Sequence, residues 1–251
     1  MRRRTFVGCA CSALSLTPNA KQANGRLACQ ISNENFESLL DSGAPTFSSI
    51  WEKAPVLFRS GNQDFDRALG RALVRLSIEF NVSPAFGYVE DKAIGNAIAT
   101  PQSRFLNTQG TVLFELNFLR GFLNEVDDGD VVILGICAHE FGHISQYFGG
   151  AYEFLRASHH TVKLVELHAD YLAGYFMALL KRDRPTLKLR SFGRAFFELG
   201  TYNREDPDFH GTPDERLQAV EAGYFSGPSL RDFQSAYKTG IKFVTSEFGR
   251  K

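Results

Sequence analysis

Two histidines four residues apart, with a glutamate directly after the first, are the residues of this sequence best suited to chemistry. On a helix, His139 and His143 would lie on the same face about one turn apart, so both imidazoles could bind a single metal ion. Glu140 would then lie beside a water molecule bound to that ion and could accept its proton. The spacing therefore predicts a metal site with a general base. The alternative is a pair of core histidines that have this spacing by chance.

A catalytic zinc ion needs three protein ligands and one open position for water, so a third ligand must come from another segment. In the metzincin group of zinc proteases, a glycine and a histidine follow the second ligand at fixed offsets. Gln146 and Gly149 occupy those positions here, which excludes that group.

A second predicted helix offers two carboxylates. Apolar residues recur every three to four positions between Val162 and Leu179, which is typical of an amphipathic helix. Glu166 and Asp170 lie four apart on that helix and share a mostly apolar face, where they would repel each other unless a cation lay between them. We therefore expect Glu166 to bind the metal and Asp170 to accept a hydrogen bond from a ligand imidazole. The alternative is that both carboxylates face water.

Residues 139–143 followed by residues 166–170 resemble the gluzincin arrangement of zinc metallopeptidases. The resemblance is to the bacterial neutral zinc metallopeptidases and to the family that contains the CAAX prenyl protease. Residues 209–216 resemble the His-x-[Ser/Thr/Pro]-x-x-[Glu/Gln]-Arg element that follows the third ligand in both groups. Residues 95–101 resemble the Asn-Ala-x-Ala segment that precedes the edge strand in the prenyl-protease family. The resemblance covers residues 87–224 and departs in one respect: the prenyl proteases carry several membrane-spanning helices, and none is predicted here.

The resemblance implies an α+β fold, a zincin-like metallopeptidase domain that is mainly helical with a small sheet beside the helix of the first two ligands. It implies one zinc ion (Zn2+) per chain, held by His139, His143 and Glu166, with Glu140 as general base and a protein or peptide as substrate. By the same resemblance His210 would lie over the metal and donate a hydrogen bond to the tetrahedral intermediate. The alternative role for His210 is to fix its turn. The alternative function is that of a non-catalytic, zinc-stabilised protein of the cell envelope that binds peptides or partners.

The elements expected to position these residues follow from periodicity, capping residues and turn residues. Thr212, followed by proline and Glu215, predicts a helix start with a capping box, and we expect Arg216 to form a bracing ion pair. We expect the helix of His139 and His143 to be capped by Asp130 and to end at Gly149 and Gly150. The other predicted elements are helices over 64–80, 187–199 and 229–243 and strands over 85–90 and 111–117. A loop or bulged strand is expected over 96–107, in which Asn96 either forms a turn or positions substrate.

Composition is that of a water-soluble enzyme. A length of 251 residues is enough for one domain with a sizeable core. Lys plus Arg and Asp plus Glu both number 28, so no overall charge favours nucleic acid or an anionic membrane. We expect a protein or peptide partner as substrate, no nucleic acid and no stable membrane span, and the sequence leaves the oligomeric state open.

The N-terminus resembles a targeting segment. Consecutive arginines at 2–4 precede a short, weakly apolar stretch, as in a twin-arginine signal, which predicts a signal over 1–20 and a periplasmic or secreted protein. A polar leader over 21–49 and a single peptidase domain over 50–251 would come next. The alternative is a basic tail on a cytoplasmic protein. A leader that covers the cleft of a latent protease is a further alternative.

Other histidines and cysteines are weaker candidates. His159 and His160 are adjacent, so on a helix they would point about 100° apart and could not easily bind one ion. His168 would lie on another face of the helix than the two carboxylates, and we expect all three to have surface or packing roles. Cys137 is expected to be a packed core thiol, with a disulfide to Cys29 as an alternative outside the cytoplasm.

Overall fold

The computed structural model describes residues 55–90, 96–125 and 127–249 of the chain. Within these ranges the fold is mixed α+β and mainly helical, with one small sheet that packs beside the helix of His139 and His143, as predicted. The strands are β1 (Ala85–Val89), β2 (Ala97–Thr100) and β3 (Thr111–Glu115), and the helices are α1 (Gln63–Phe80), α2 (Leu116–Glu125), α3 (Gly129–Gly149), α4 (Ala151–Ala157), α5 (Lys163–Asp183), α6 (Arg190–Glu198), α7 (Pro213–Ser226) and α8 (Phe233–Phe248).

The sheet has the order β1-β3-β2, with β3 in the centre, parallel to β1 and antiparallel to β2. Every residue of β3 is buried, which agrees with a central strand covered on both faces. On the far side of β1, Leu57 exchanges two backbone hydrogen bonds with Tyr88, of 2.7 and 2.8 Å. At the opposite side β2 is the outer strand of the described sheet, and it packs against α3.

Helices α3 and α5 form the centre of the molecule and are buried along most of their length. They pack closely at Gly142, where an added Cβ would lie 3.2 Å from the Cα of Ala169. A larger side chain at this position would hold the helices apart, so the glycine between Glu140 and His143 allows the ligand-bearing faces of α3 and α5 to meet.

Most sequence predictions for individual elements are confirmed. Helix α1 matches the prediction over 64–80, α6 lies inside the predicted 187–199, and β1 ends one residue before the predicted strand. Helix α3 ends at Gly149, followed by Gly150 at φ 78°, as expected. The capping box at the start of α7 is present, with the Thr212 side chain accepting from the Glu215 amide and the Glu215 side chain accepting from the Thr212 amide.

The expected cap at Asp130 is wrong. The residue before α3 is Asp128, whose side chain makes no capping hydrogen bond, and Asp130 is buried in the first turn. The turn between α2 and α3 explains the difference. An added Cβ on Gly129 would lie only 1.8 Å from the carbonyl oxygen of Phe122, so the tight turn requires glycine at the helix start.

Two boundaries also differ from the predictions. The predicted strand over 111–117 ends at Glu115, because Leu116 begins α2. The segment over 96–107, expected as a loop or bulged strand, begins with strand β2. The predicted helix over 229–243 begins later, at Phe233, where the Asp232 side chain accepts a hydrogen bond from the amide of Ser235.

Several predictions concern parts of the chain outside the described residues. These are the signal over 1–20, the leader over 21–49 and Cys29. Cys137 is a free, buried cysteine, in agreement with a packed core thiol. Among the described helices, none is long and apolar enough to cross a membrane.

Candidate metal site

The structure brings His139, His143 and Glu166 together, and one ligand atom of each lies within 4.8 Å of the others. The two histidines come from successive turns of α3, and Glu166 comes from the first turn of α5. The Nε2 atoms of the histidines are 3.0 Å apart. The Glu166 carboxylate oxygens lie 3.5 Å from Nε2 of His139 and 3.4 Å from Nε2 of His143. All three residues are buried.

In each imidazole, the partner of Nδ1 determines that Nε2 faces the site. His139 Nδ1 is 2.8 Å from Oδ1 of Asp170, and His143 Nδ1 is 2.9 Å from Oε1 of Gln146. Both partners are acceptors at these atoms, so each Nδ1 carries the hydrogen and each Nε2 carries a lone pair. The pKa of His143 is lowered to about 4, mainly by burial, so this imidazole is neutral at physiological pH. Two lone pairs 3.0 Å apart cannot hydrogen-bond to each other, but they can bind one cation.

Glu166 is the residue that most requires a cation. Its carboxylate is fully buried, and neither oxygen has a hydrogen-bond partner within the part of the chain that the structure describes. Burial alone would raise the pKa of Glu166, but the imidazoles of His210, His143 and His139 together hold it below its usual range. An ionised, buried carboxylate is costly unless it is paired or binds a metal. Two imidazoles and one carboxylate can therefore hold a metal ion at this position.

Glu140 lies beside this group and is completely buried at the interface of α3 with β2. The pKa of Glu140 is raised to about 8, mainly by burial, and the nearby Glu166 carboxylate raises it further. His139, Arg216 and the backbone amide of Ala99 act in the opposite direction. A carboxyl group that titrates near neutrality can both accept and release a proton, which suits it to acid–base chemistry.

Behind His139 lies a buried ion pair. Arg216 on α7 donates two hydrogen bonds of 2.8 Å to the two oxygens of Asp170, which also faces His139 Nδ1. Burial would raise the pKa of Asp170, but Arg216 and His139 lower it, so the group is a carboxylate. The Arg216 guanidinium lies 5.8 Å from the centre of the Phe196 ring, and that ring contacts His139. The predicted ion pair of Arg216 is thus confirmed, with Asp170 as its partner.

His210 lies at the edge of the same group. Its Nε2 is 3.9 Å from Oε2 of Glu166, and the side chain is 7% exposed. It precedes the capped start of α7, whose capping box at Thr212 and Glu215 fixes the position of the turn. Glu215 also accepts a hydrogen bond from Lys163, the first residue of α5, so the turn is attached to the helix that carries Glu166.

Other candidate residues lie elsewhere. The rings of His159 and His160 stack on each other at 4.4 Å in the segment between α4 and α5, and neither belongs to the metal-ligand group. Their position in a loop, where the 100° separation of a helix does not apply, allows the stacking. Asn96 precedes β2, and its side-chain oxygen accepts a hydrogen bond from the amide of Ala97, as expected of a turn asparagine.

Sequence reasoning missed Gln146 and His168 as parts of the site. From the sequence, Gln146 only excludes one protease group, and His168 is expected to have a packing role. In the structure both are fully buried and hydrogen-bonded to each other behind His143. One signal was available: Gln146 lies three residues after His143, so the two side chains share a helix face.

Comparisons of the chain with known protein families, with curated proteins and with solved structures find no match. The functional interpretation therefore depends on the geometry of the site and on the sequence motifs.

Proposed function

We propose that this chain is a zinc-dependent endopeptidase of the gluzincin type, with a zincin-like domain. The observation that carries the proposal is the position of Glu140. It lies beside a group of three metal-type ligands without belonging to it. A structural zinc site closes its fourth position with a further ligand and needs no general base, whereas a catalytic site has three ligands and an adjacent base.

The distances between ligand atoms support zinc as the metal. A tetrahedral zinc ion, with bonds of about 2.0–2.1 Å to nitrogen and oxygen, separates its ligand atoms by about 3.3 Å. The Nε2 atoms of His139 and His143 are 3.0 Å apart, and they lie 3.5 Å from Oε2 and 3.4 Å from Oε1 of Glu166, respectively. The neutral imidazoles and the carboxylate are also the protonation states that zinc binding requires.

In the proposed reaction, bound zinc would supply a Lewis acid that polarises the scissile carbonyl and acidifies a water molecule. Glu140 accepts the proton of the attacking water and delivers it to the leaving amine. His210 donates a hydrogen bond to the carbonyl oxygen as negative charge develops there. Asp170 and Gln146 hold the two imidazoles in the tautomer that leaves Nε2 available.

Strand β2 supplies a place for the substrate backbone. It is the outer strand of the described sheet, and the backbone amide of Ala99 faces the Glu140 carboxyl. An extended peptide could add to this strand through main-chain hydrogen bonds, which would place its scissile bond beside Glu140. Recognition through the main chain favours a peptide or an unfolded protein segment as substrate.

The first test is metal content. Elemental mass spectrometry of the purified chain is expected to give about one zinc per wild-type chain and little in His143→Ala, because removing one of three ligands destroys the site. Little metal in both proteins, even after zinc is offered, would contradict the proposal.

The decisive test separates the base from the metal. Wild type and Glu140→Gln, both loaded with zinc, are incubated with a pool of synthetic peptides, and new termini are identified by mass spectrometry. Glu140→Gln is expected to keep its zinc and to cleave at least about 100-fold more slowly, since the amide cannot accept the proton. Equal cleavage by both would reject Glu140 as the base. Zinc binding without any cleavage by wild type would instead favour a non-catalytic, zinc-stabilised binding protein.

A further inference from the structure

A continuous line of buried hydrogen bonds lies behind His143 and ends on the C-terminal helix α8. His143 Nδ1 is 2.9 Å from Gln146 Oε1, and Gln146 Nε2 is 3.0 Å from His168 Nδ1. His168 Nε2 is 3.1 Å from the carbonyl oxygen of Tyr237. Gln146 Nε2 also donates to the carbonyl oxygen of Val165 at 2.7 Å. The line thus connects α3, α5 and α8.

The direction of every hydrogen bond in this line is determined by its two carbonyl groups, which can only accept. The Tyr237 carbonyl requires a hydrogen on Nε2 of His168, and its Nδ1 faces the amide nitrogen of Gln146 and accepts from it. The Val165 carbonyl requires the amide nitrogen of Gln146 on its side. The amide has two hydrogens, one for Val165 and one for His168, and its oxygen must then face His143.

We propose that Gln146 and His168 are positioning residues that hold His143 as a metal ligand, and that α8 is the anchor of this arrangement. The Gln146 oxygen can accept only from a protonated Nδ1, so the tautomer of His143 with a free Nε2 is selected before any metal binds. The inference rests on the metal site of the proposed function, and it does not depend on peptide hydrolysis.

The contacts of α8 fit the role of an anchor. The Tyr237 hydroxyl donates to the carbonyl oxygen of Ser145 on α3 and accepts from the amide of Ala151 on α4, both at 3.2 Å. Its ring packs edge-on against His168, with centroids 5.1 Å apart. One turn further on, an added Cβ at Gly240 would lie 2.8 Å from Cδ2 of His168, so glycine allows this close approach.

The test compares two substitutions of Gln146. Leucine removes the acceptor for His143 Nδ1 and both donors. Glutamate keeps the acceptor but loses both donors, the one to the Val165 carbonyl and the one to His168 Nδ1. If Gln146 positions His143, Gln146→Leu is expected to bind zinc about 10–100-fold more weakly than wild type, and Gln146→Glu, which keeps the acceptor for His143, is expected to bind it clearly more tightly than Gln146→Leu. Both variants are expected to unfold at lower urea concentration, since each loses the buried hydrogen bond from Gln146 to the Val165 carbonyl.

Zinc affinity is measured by competition between the metal-free protein and a chromophoric chelator, and urea unfolding is followed on the same samples. Gln218→Leu, the same substitution at an exposed position of α7, serves as the matched control and is expected to bind zinc as wild type does. Equal zinc affinity of Gln146→Leu and wild type would overturn the inference. Equal weakening by leucine and glutamate would also overturn it, because the effect would then reflect stability alone. A wild-type chain that takes up no zinc would overturn the proposed function together with the inference.

Discussion

The two histidines of the site differ in what holds them. His139 faces the carboxylate of Asp170, which is itself paired with the guanidinium of Arg216, so a buried ion pair lies behind this imidazole. His143 faces an amide, and the line behind it is neutral as far as the Tyr237 carbonyl. We call the Asp170–Arg216 pair the charged support and the Gln146–His168 pair the neutral support.

The difference bears on how the site can hold a divalent cation in a buried position. A charged support makes the imidazole more basic and strengthens its bond to a metal, but its own charges are costly to bury unless both are present. A neutral support gives orientation with little desolvation cost when every group is satisfied. With Glu166 as a ligand, a second charged support would add another buried ion pair. The fold uses one of each.

The largest expected effect is the loss of one partner of the charged support. Arg216→Met keeps the length and apolar contacts of the side chain but leaves the Asp170 carboxylate buried without its guanidinium. We expect the free energy of unfolding to fall by about 3–5 kcal/mol, measured by urea denaturation of the metal-free protein.

Arg194→Met is the matched control, because Arg194 forms an exposed ion pair with Glu198 and contributes little. A loss of less than about 1 kcal/mol in Arg216→Met would mean that the charged support is not a stabilising pair, and the contrast with the neutral support would disappear.

A smaller effect is expected where α8 packs against the neutral support. Gly240→Ala would place a methyl group 2.8 Å from His168 Cδ2 and 2.7 Å from Cδ1 of Tyr171. We expect this overpacking to lower the free energy of unfolding by about 1–3 kcal/mol in urea denaturation. The control is Gly70→Ala in α1, where no atom lies within 4 Å of the added Cβ. The control should gain up to about 1 kcal/mol from the better helix propensity of alanine, and a gain in both variants would argue against tight packing at Gly240.

The smallest effect is a pH dependence that belongs to the charged support. Arg216 helps to hold the pKa of Asp170 below its usual range, so the folded protein binds fewer protons at this group than the unfolded chain. That stabilisation is complete above about pH 4 and is lost as the pH falls through the lowered pKa.

The difference in unfolding free energy between wild type and Arg216→Met should therefore narrow as the pH falls below about 4, in chelator-treated samples. Groups that titrate alike in both proteins cancel in this difference. A difference that widens toward acid would contradict the assignment of Asp170 as the ionised partner.

The two supports also differ in how far the sequence predicted them. Asp170 lies four residues after Glu166, so helix periodicity alone puts both carboxylates on one face. The capping box at Thr212 predicts the start of α7 and therefore places Arg216 in its first turn. The neutral support depends on contacts between elements. No spacing in the chain relates Gln146 to His168 or His168 to the Tyr237 carbonyl, because those contacts arise only when α3, α5 and α8 pack together.

The same distinction applies to the fold. Long periodic segments such as α1 were predicted closely, since their amphipathic pattern is local. The change from strand to helix at Leu116 was not predicted, because the apolar residues Val112, Phe114 and Leu116 alternate in the sequence across it. The close approach of Gly142 to Ala169 likewise depends on two segments that are distant in sequence.

The position of Tyr237 in the chain gives the site an order of assembly. During synthesis α8 leaves the ribosome after every other described element, and until then His168 lacks the carbonyl group that fixes its tautomer. The three metal ligands are already present by that stage. On the roles proposed for Gln146 and His168, a nascent chain would exchange metal readily with its surroundings and would retain it firmly only once folding is complete.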